Sequence, residues 1–289
     1  MTETTVAPPA ARDPLLKVRD LSVEFPVGHG RTLKAVTDVS IDVFAGETLG
    51  LVGESGCGKS TVGRAIMQLP PPTRGSVAFD GTELTGLGAA EMRQVRPRLQ
   101  MIFQDPISSL NPRRRVRDII GEPLATWHRG TAESRRAKVR ELMEQVGLDY
   151  EIAGERWRHE FSGGQCQRIS IARALALEPA MLICDEPVSA LDVSVLAQIL
   201  NLLEEMKRSY NLTVVFVAHD LAVVKRVSDR VAVMYLGRLC EVAASDVLYE
   251  NPQHPYTAAL LAAIPTPRPG ARRGDAGAHL QGELPSAVE

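Results

Sequence analysis

The run Gly53-Glu54-Ser55-Gly56-Cys57-Gly58-Lys59-Ser60-Thr61 could wrap a chain of phosphates. Its glycines let backbone N–H groups converge on oxygen atoms, Lys59 can reach the β and γ oxygens, and Ser60 offers a hydroxyl to Mg²⁺. A second stretch, Ser162-Gly163-Gly164-Gln165-Cys166, sets a serine and a pair of glycines at a predicted helix start. Exposed N–H groups and the helix dipole favour an anion there. The chain thus carries two phosphate-binding surfaces, and a single polypeptide rarely closes both around one nucleotide. The second is expected to serve a neighbour's nucleotide, which implies an ATPase acting as a two-subunit clamp.

About twenty residues past the second stretch, Met181-Leu-Ile-Cys ends in Asp185-Glu186. Asp185, at a strand end, can hold Mg²⁺ through water, and Glu186 can orient or deprotonate the attacking water. His219 closes the run TVVFVAH and is placed to contact a γ-phosphate or that water. Gln104 follows the run LQMIF and could reach Mg²⁺ or water while reporting nucleotide state outward. Phe25 has two readings, an adenine stack or a core residue. Arg113-Arg114-Arg115 is a solvated face or a contact to a partner or a nucleotide edge. His29, His128, His159 and His279 lack any comparable setting.

These groups need strands that end on a common edge. Leu15–Phe25 and Leu33–Val43 read as strands, with Glu47–Gly53 a compact apolar strand entering the glycine loop. A helix is expected over Lys59–Leu69, stopped by Pro70-Pro71-Pro72. Gly75–Asp80 and Leu99–Phe103 read as further strands. Residues 113 to 178 look mostly helical, with helical spacing over Ala132–Val146 closed by Gly147. Met181–Cys184, Thr213–Ala218 and Val231–Tyr235 are then strands, and Val193–Tyr210 is a helix. Apolar strands alternating with helices predict a parallel sheet covered on both faces, with ligands beyond its C-terminal strand ends. The loop, Asp185-Glu186 and His219 each follow a predicted strand and should therefore converge.

Composition narrows the function classes. The chain has 289 residues, 44% of them hydrophobic, enough for a sizeable core. Its net charge of −2 disfavours a broad nucleic-acid surface. Cys57, Cys166, Cys184 and Cys240 are scattered, with no metal-like spacing, and read as reduced thiols of a cytosolic compartment. No apolar run approaches the roughly 18 residues of a membrane helix, and Met1–Asp13 lacks the pattern of a signal peptide. Action at a membrane would require a partner to hold the chain there.

In this order the elements resemble the ATPase subunits of ATP-binding cassette transporters. GESGCGKST resembles the Walker A loop, Gln104 the Q-loop, and FSGGQ (Phe161–Gln165) the family signature. LICDE resembles Walker B, Ser189-Ala-Leu-Asp192 the D-loop, and His219 the switch histidine. The resemblance covers residues 15–265. It implies an α/β P-loop NTPase (RecA-like) core with an antiparallel β subdomain and an inserted α-helical subdomain at about 105–178. The ATPase domain would span 13–265, between tails at 1–12 and 266–289. Implied ligands are ATP and Mg²⁺. Implied partners are two transmembrane permease subunits, a second ATPase subunit (copy or paralogue) sandwiching ATP, and an extracytoplasmic substrate-binding protein. The expected location is the cytoplasmic face of the membrane, with no nucleic acid bound.

Gln104-Asp-Pro-Ile-Ser-Ser-Leu-Asn-Pro-Arg113 and Asn251-Pro-Gln-His-Pro-Tyr-Thr-Ala-Ala-Leu260 resemble the oligopeptide/dipeptide importer branch, which also includes nickel and glutathione importers. Permeases would dock in a groove near Gln104. Cys166 stands where the family more often has Arg or another polar residue. The family tail commonly continues past a segment like Gly282-Glu-Leu-Pro-Ser286 into cysteines that some members use for an iron–sulfur cluster; this sequence has no such cysteines after that segment, so no cluster is expected here. The rivals are a soluble cassette ATPase of translation or DNA repair and a regulatory subunit that binds ATP without turnover. The single cassette argues against the first. Retention of Lys59, Asp185, Glu186 and His219 together argues against the second.

Overall fold

The structure is a computed structural model that describes residues 13–263 apart from His29 and Ala190. The tails at 1–12 and 266–289, the Gly282–Ser286 segment, His279 and one residue of the Ser189–Asp192 motif therefore lie outside the described residues. Two sheets organise the rest. One is antiparallel, in the order β2-β1-β4-β5, from β1 (Leu16–Pro26), β2 (Thr32–Val43), β4 (Arg74–Phe79) and β5 (Thr82–Glu83). The other runs β10-β9-β3-β8-β7-β6, from β3 (Thr48–Val52), β6 (Leu99–Ile102), β7 (Met181–Asp185), β8 (Thr213–Ala218), β9 (Arg230–Tyr235) and β10 (Arg238–Ala244). Its strands are parallel except β10, which pairs antiparallel with β9 at the edge.

The central strands are buried along their whole length, as apolar parallel strands covered on both faces must be. Alternation splits their side chains between two cores. Leu182, Cys184, Val214, Phe216, Val231 and Val233 join the core beneath the later helices. Met181, Ile183, Val215, Val217 and Ala232 pack with helix α1 (Lys59–Ile66) and the antiparallel sheet. Between β6 and β7 the chain is helical: α3 (Val116–Thr126), α4 (Ala132–Gln145), the short α5 (Tyr150–Ala153) and α6 (Gly163–Leu175). Thr131 and Asp149 cap α4 and α5 with their side-chain oxygens. α2 (Ala89–Val95) precedes β6, and α7 (Val193–Tyr210) ends at Asn211, which adopts the left-handed conformation.

The sequence did not announce β10, α8 (Leu221–Val227), α9 (Ser245–Glu250) or α10 (Pro255–Ala262). Each is short, and β10 is half exposed, so neither length nor period marks them. α8 nonetheless packs hard onto β3. A methyl group on Gly50 would come within 2.5 Å of both Ser228 Oγ and Val224 Cγ1. Gly50→Ala is expected to destabilise the protein by about 1–3 kcal/mol through overpacking. A lowered thermal midpoint with unchanged far-ultraviolet circular dichroism at low temperature would show it.

Candidate nucleotide-binding site

Strand register sets the site. Val52 pairs with Ala218, Val217 with Asp185, and Cys184 with Ile102, so β3, β8, β7 and β6 end level. The glycine loop leaves β3, Asp185-Glu186 ends β7, His219 follows β8, and Gln104 lies two residues past β6. Extending the Ile102–Cys184 pairing by two residues brings Gln104 level with Glu186. Gln104 Nε2 indeed donates to Glu186 Oε2 at 2.9 Å.

The loop closes tightly because its glycines allow it. Gly53, Gly56 and Gly58 have φ of 157°, 82° and 104°. A Cβ on Gly53 would lie 2.1 Å from the Met234 carbonyl oxygen, and one on Gly58 would lie 2.3 Å from that of Ala35. Lys59 is almost fully buried, and its Nζ donates to the carbonyls of Gly53 and Glu54, each at 2.8 Å. The ammonium thereby bridges the entry of the loop to the start of α1. Burial raises the Cys57 thiol above its usual range, although Lys59 opposes this, so Cys57 is a packed thiol rather than a reactive one.

Asp185 has no solvent exposure, and burial pushes its carboxyl above the usual range. The Ser60 hydroxyl, 2.6 Å from Oδ1, and Arg64, 3.5 Å from Oδ2, pull the other way, while Glu186 adds repulsion. A carboxylate so placed is only partly compensated and suits a further cation. Glu186 takes φ of 45°, an uncommon conformation for a non-glycine residue, while its N–H still donates to Val217 O at 3.0 Å. The turn brings its carboxylate between Gln104 and His219, whose Nδ1 lies 3.6 Å from Oε2. Asp220 caps α8 by accepting from Ala222 N–H and Val223 N–H, which fixes the chain just after His219.

Ser162 caps α6. Its Oγ accepts from Gln165 N–H at 3.4 Å, and Gln165 Oε1 accepts from Ser162 N–H at 3.0 Å, a reciprocal capping box. Among the described residues, no hydrogen bond or ion pair joins Ser162, Gly163, Gly164 or Gln165 to the loop, Asp185, Glu186 or His219. Phe25 lies at the end of β1 opposite Leu33, half-buried against the core shared with α1. Arg114 pairs with Glu122 at 3.3 Å, and Arg115 pairs with Glu155. The structure thus gathers the loop, Gln104, Asp185, Glu186 and His219, and leaves the signature apart. Sequence reasoning missed Tyr256, whose hydroxyl accepts from Glu54 N–H at 3.3 Å. Only its place in a family-like segment singled it out.

Residues 36–189 match the family model for ABC transporters, and residues 240–289 match that for the C-terminal region of oligopeptide/dipeptide transporters. The chain belongs to the ABC transporter ATP-binding family. It is 52% identical over 286 residues to the oligopeptide transport ATP-binding protein OppF of Salmonella typhimurium, covering 96% of this chain and 85% of that one. It is also 52% identical over 278 residues to the putative oligopeptide transport ATP-binding protein YkfD of Bacillus subtilis, covering 96% and 84%. Among solved structures it resembles the cassette MJ0796 in a dimeric post-hydrolysis state bound to ADP and Pi, with TM-score 0.73 and 28% identity over 80% of this chain and 98% of that one. The family is one of ATP-binding ATPases, and the P-loop NTPase fold follows from the same neighbours.

Lys59→Ala removes the only ammonium on the loop and two hydrogen bonds that hold it closed. Charge-assisted hydrogen bonds contribute roughly 1.5–3 kcal/mol, so ATP affinity should fall roughly 10- to 100-fold. Equilibrium titration with a fluorescent ATP analogue measures it, and unchanged affinity would mean the loop does not hold phosphate as described.

Proposed function

We propose that this chain is the ATP-hydrolysing subunit of a membrane importer for short peptides. The observation that carries the reading is the Glu186 carboxylate, held between Gln104 and His219 one residue beyond the buried Asp185. It stands in a chain 52% identical to proteins named for oligopeptide transport. N–H groups of the loop and Lys59 hold the phosphates. Glu186 orients the attacking water and accepts its proton, and His219 contacts the γ-phosphate.

Mg²⁺ fits the residues present. Among the described residues no three or more His, Cys, Asp or Glu side chains gather as a metal site. Mg²⁺ needs no such cage, being commonly bound by one or two carboxylates together with substrate phosphates. Ser60 in the first turn of α1, with Asp185 and Gln104 at the strand ends, supplies hard oxygen donors, and the under-compensated Asp185 favours a cation. When bound, the ion would neutralise phosphate charge.

The remaining assignments concern partners. A cleft of about 600 Å³, lined by Leu69, Phe103, Gln104, Trp127 and Arg173, opens beside the site. Phe103 and Leu69 are 37% and 40% exposed there, an apolar surface that supports docking of a permease segment. Arg173 of α6 donates to Ser109 O at 2.6 Å, so the cleft wall is tied to the signature helix. Two permease subunits, a second ATPase subunit and an extracytoplasmic binding protein complete the proposed assembly. Because no described helix is long and apolar enough to cross a membrane, attachment at the cytoplasmic face would come through those permeases. The boundaries proposed for the ATPase domain remain 13–265, with the helical insertion at about 105–178.

Cells lacking this chain should lose uptake of short peptides and keep uptake of free amino acids. The wild-type gene should restore uptake, and Glu186→Gln should not. In the purified complex Glu186→Gln should retain ATP binding while turnover falls about 10²–10⁴-fold, the usual contribution of a general base. Intact peptide uptake with failed nickel or glutathione uptake would transfer the cargo assignment to those solutes.

The signature is proposed to act on the partner's nucleotide, and Gly163 tests this cleanly. Among the described residues a Cβ there meets only Leu191, at 3.9 Å, and an acid in a first helical turn is favourable, so Gly163→Asp should fold. Its carboxylate would repel the partner's γ-phosphate. A Lys59→Ala subunit assembled with a Gly163→Asp subunit puts both defects in one composite site and spares the other. Both changes on one subunit damage both sites and should leave markedly less ATPase activity. Equal residual activity from the two arrangements would exclude the shared site.

A further inference from the structure

We infer that Tyr256 is a positioning residue for the phosphate loop, through which the segment following β10 sets the affinity for ATP. The inference rests on the reading of Gly53–Thr61 as the ATP site. The side chain is 3% exposed, and its hydroxyl accepts from Glu54 N–H at 3.3 Å, across 202 residues of sequence. Nothing in the nucleotide chemistry described above requires a residue from α10, yet α10 delivers one to the loop.

The geometry that aims Tyr256 is built locally. Glu241 on β10 accepts from Gln253 N–H at 2.9 Å and from His254 N–H at 3.0 Å, clamping the turn before α10. His254 caps the helix, its Nδ1 accepting from Tyr256 N–H at 3.1 Å, and Pro255 occupies the first turn. The Tyr256 ring then packs against Tyr235 at the end of β9, with centroids 4.4 Å apart and planes tilted by 42°. Backbone, cap and ring contact leave the hydroxyl one direction to point.

At its far end the contact matters because of what else holds the same residue. The Glu54 carbonyl accepts from Lys59 Nζ at 2.8 Å while the Glu54 N–H is held by Tyr256, so both backbone polar groups of this residue are fixed. Further along the loop, Gly237 N–H donates to Cys57 O at 2.9 Å. The loop is thus braced from the β9–β10 side at two points, one backbone and one side chain. A phosphate loop works by presenting several N–H groups at once, and every degree of freedom left in it must be frozen when ATP binds. Tyr256 removes part of that freedom beforehand. Burial and the Glu54 charge keep the phenol protonated far above neutral pH, so the brace is insensitive to physiological pH.

Tyr256→Phe removes the acceptor oxygen and keeps the ring against Tyr235. In the full-length chain the dissociation constant for a fluorescent ATP analogue should rise about three- to tenfold, the effect of one lost neutral hydrogen bond. In the assembled complex the KM for ATP should rise with kcat nearly unchanged, and the Glu54 amide should exchange faster with solvent. Tyr235→Phe, which alters a hydroxyl off the loop, should bind ATP as the wild type does. Wild-type affinity in Tyr256→Phe, beside weakened binding in Lys59→Ala, overturns the brace and leaves the ATP site standing. A lowered thermal midpoint with unchanged affinity, or an equal loss in Tyr235→Phe, overturns it too. Normal binding in Lys59→Ala defeats the reading of the loop itself, and this inference with it.

Discussion

A carboxylate with no solvent exposure at the end of β7 is the constraint around which the site is arranged. Asp185 closes a strand whose other residues are apolar and buried on both faces, so its charge can be tolerated only where the strand stops. Burial raises its proton affinity, and the chain answers with the Ser60 hydroxyl and the Arg64 guanidinium, both from α1. α1 is therefore tied to β7 through Asp185. The loop entering α1 inherits that placement. Glu186, one residue on, turns into the left-handed region and escapes the sheet, which frees its carboxylate for Gln104 and His219.

The level strand ends convert that local constraint into a shared edge. In a parallel sheet each strand needs a crossover, and here the crossovers leave from one side, so the residues just after the strands collect there. Gln104 is the informative case. It is exposed and belongs to a segment whose Asp105 side chain caps its own turn, at Ile107 N–H and Ser108 N–H. It still meets Glu186 because β6 and β7 are paired in a register that makes the two positions neighbours. A shift of that register by one residue would separate them.

This explains what could be read in advance and what could not. β7, β8 and α7 were legible to within a residue because apolar runs bounded by Asp185, His219, Asp192 and Asn211 leave few alternatives. The loop and its partners were legible because their chemistry fixes residue types at short spacing. β10 and α8 were not, since a half-exposed edge strand and a seven-residue helix rich in valine lack a clear period. The Gln104–Glu186 and Tyr256–Glu54 bonds were hidden for a different reason. They join residues 82 and 202 positions apart, and such contacts follow from strand order and packing rather than from any local pattern.

The proposed action of the signature on a partner's nucleotide rests on what its residues leave unbonded. The capping box uses the Ser162 hydroxyl and the Gln165 side chain within the chain, yet the first N–H groups of a helix have no carbonyl of their own helix to bond. Those of Gly163 and Gly164 stand at a positive helix end, with an exposed serine beside them and no bond to the loop of the same chain. Gly164 is packed against Val195, where a Cβ would lie 2.5 Å from Cγ1, so the glycine there is demanded by α7. Among the described residues a Cβ on Gly163 would meet only Leu191, at 3.9 Å, so packing does not demand its lack of a side chain. That supports the proposal that something external approaches its backbone closely. A γ-phosphate presented by a second cassette has the charge and the bare oxygen surface to do so. In the proposed assembly, the affinity gained when two such surfaces close would be available to move whatever the cleft beside Gln104 holds.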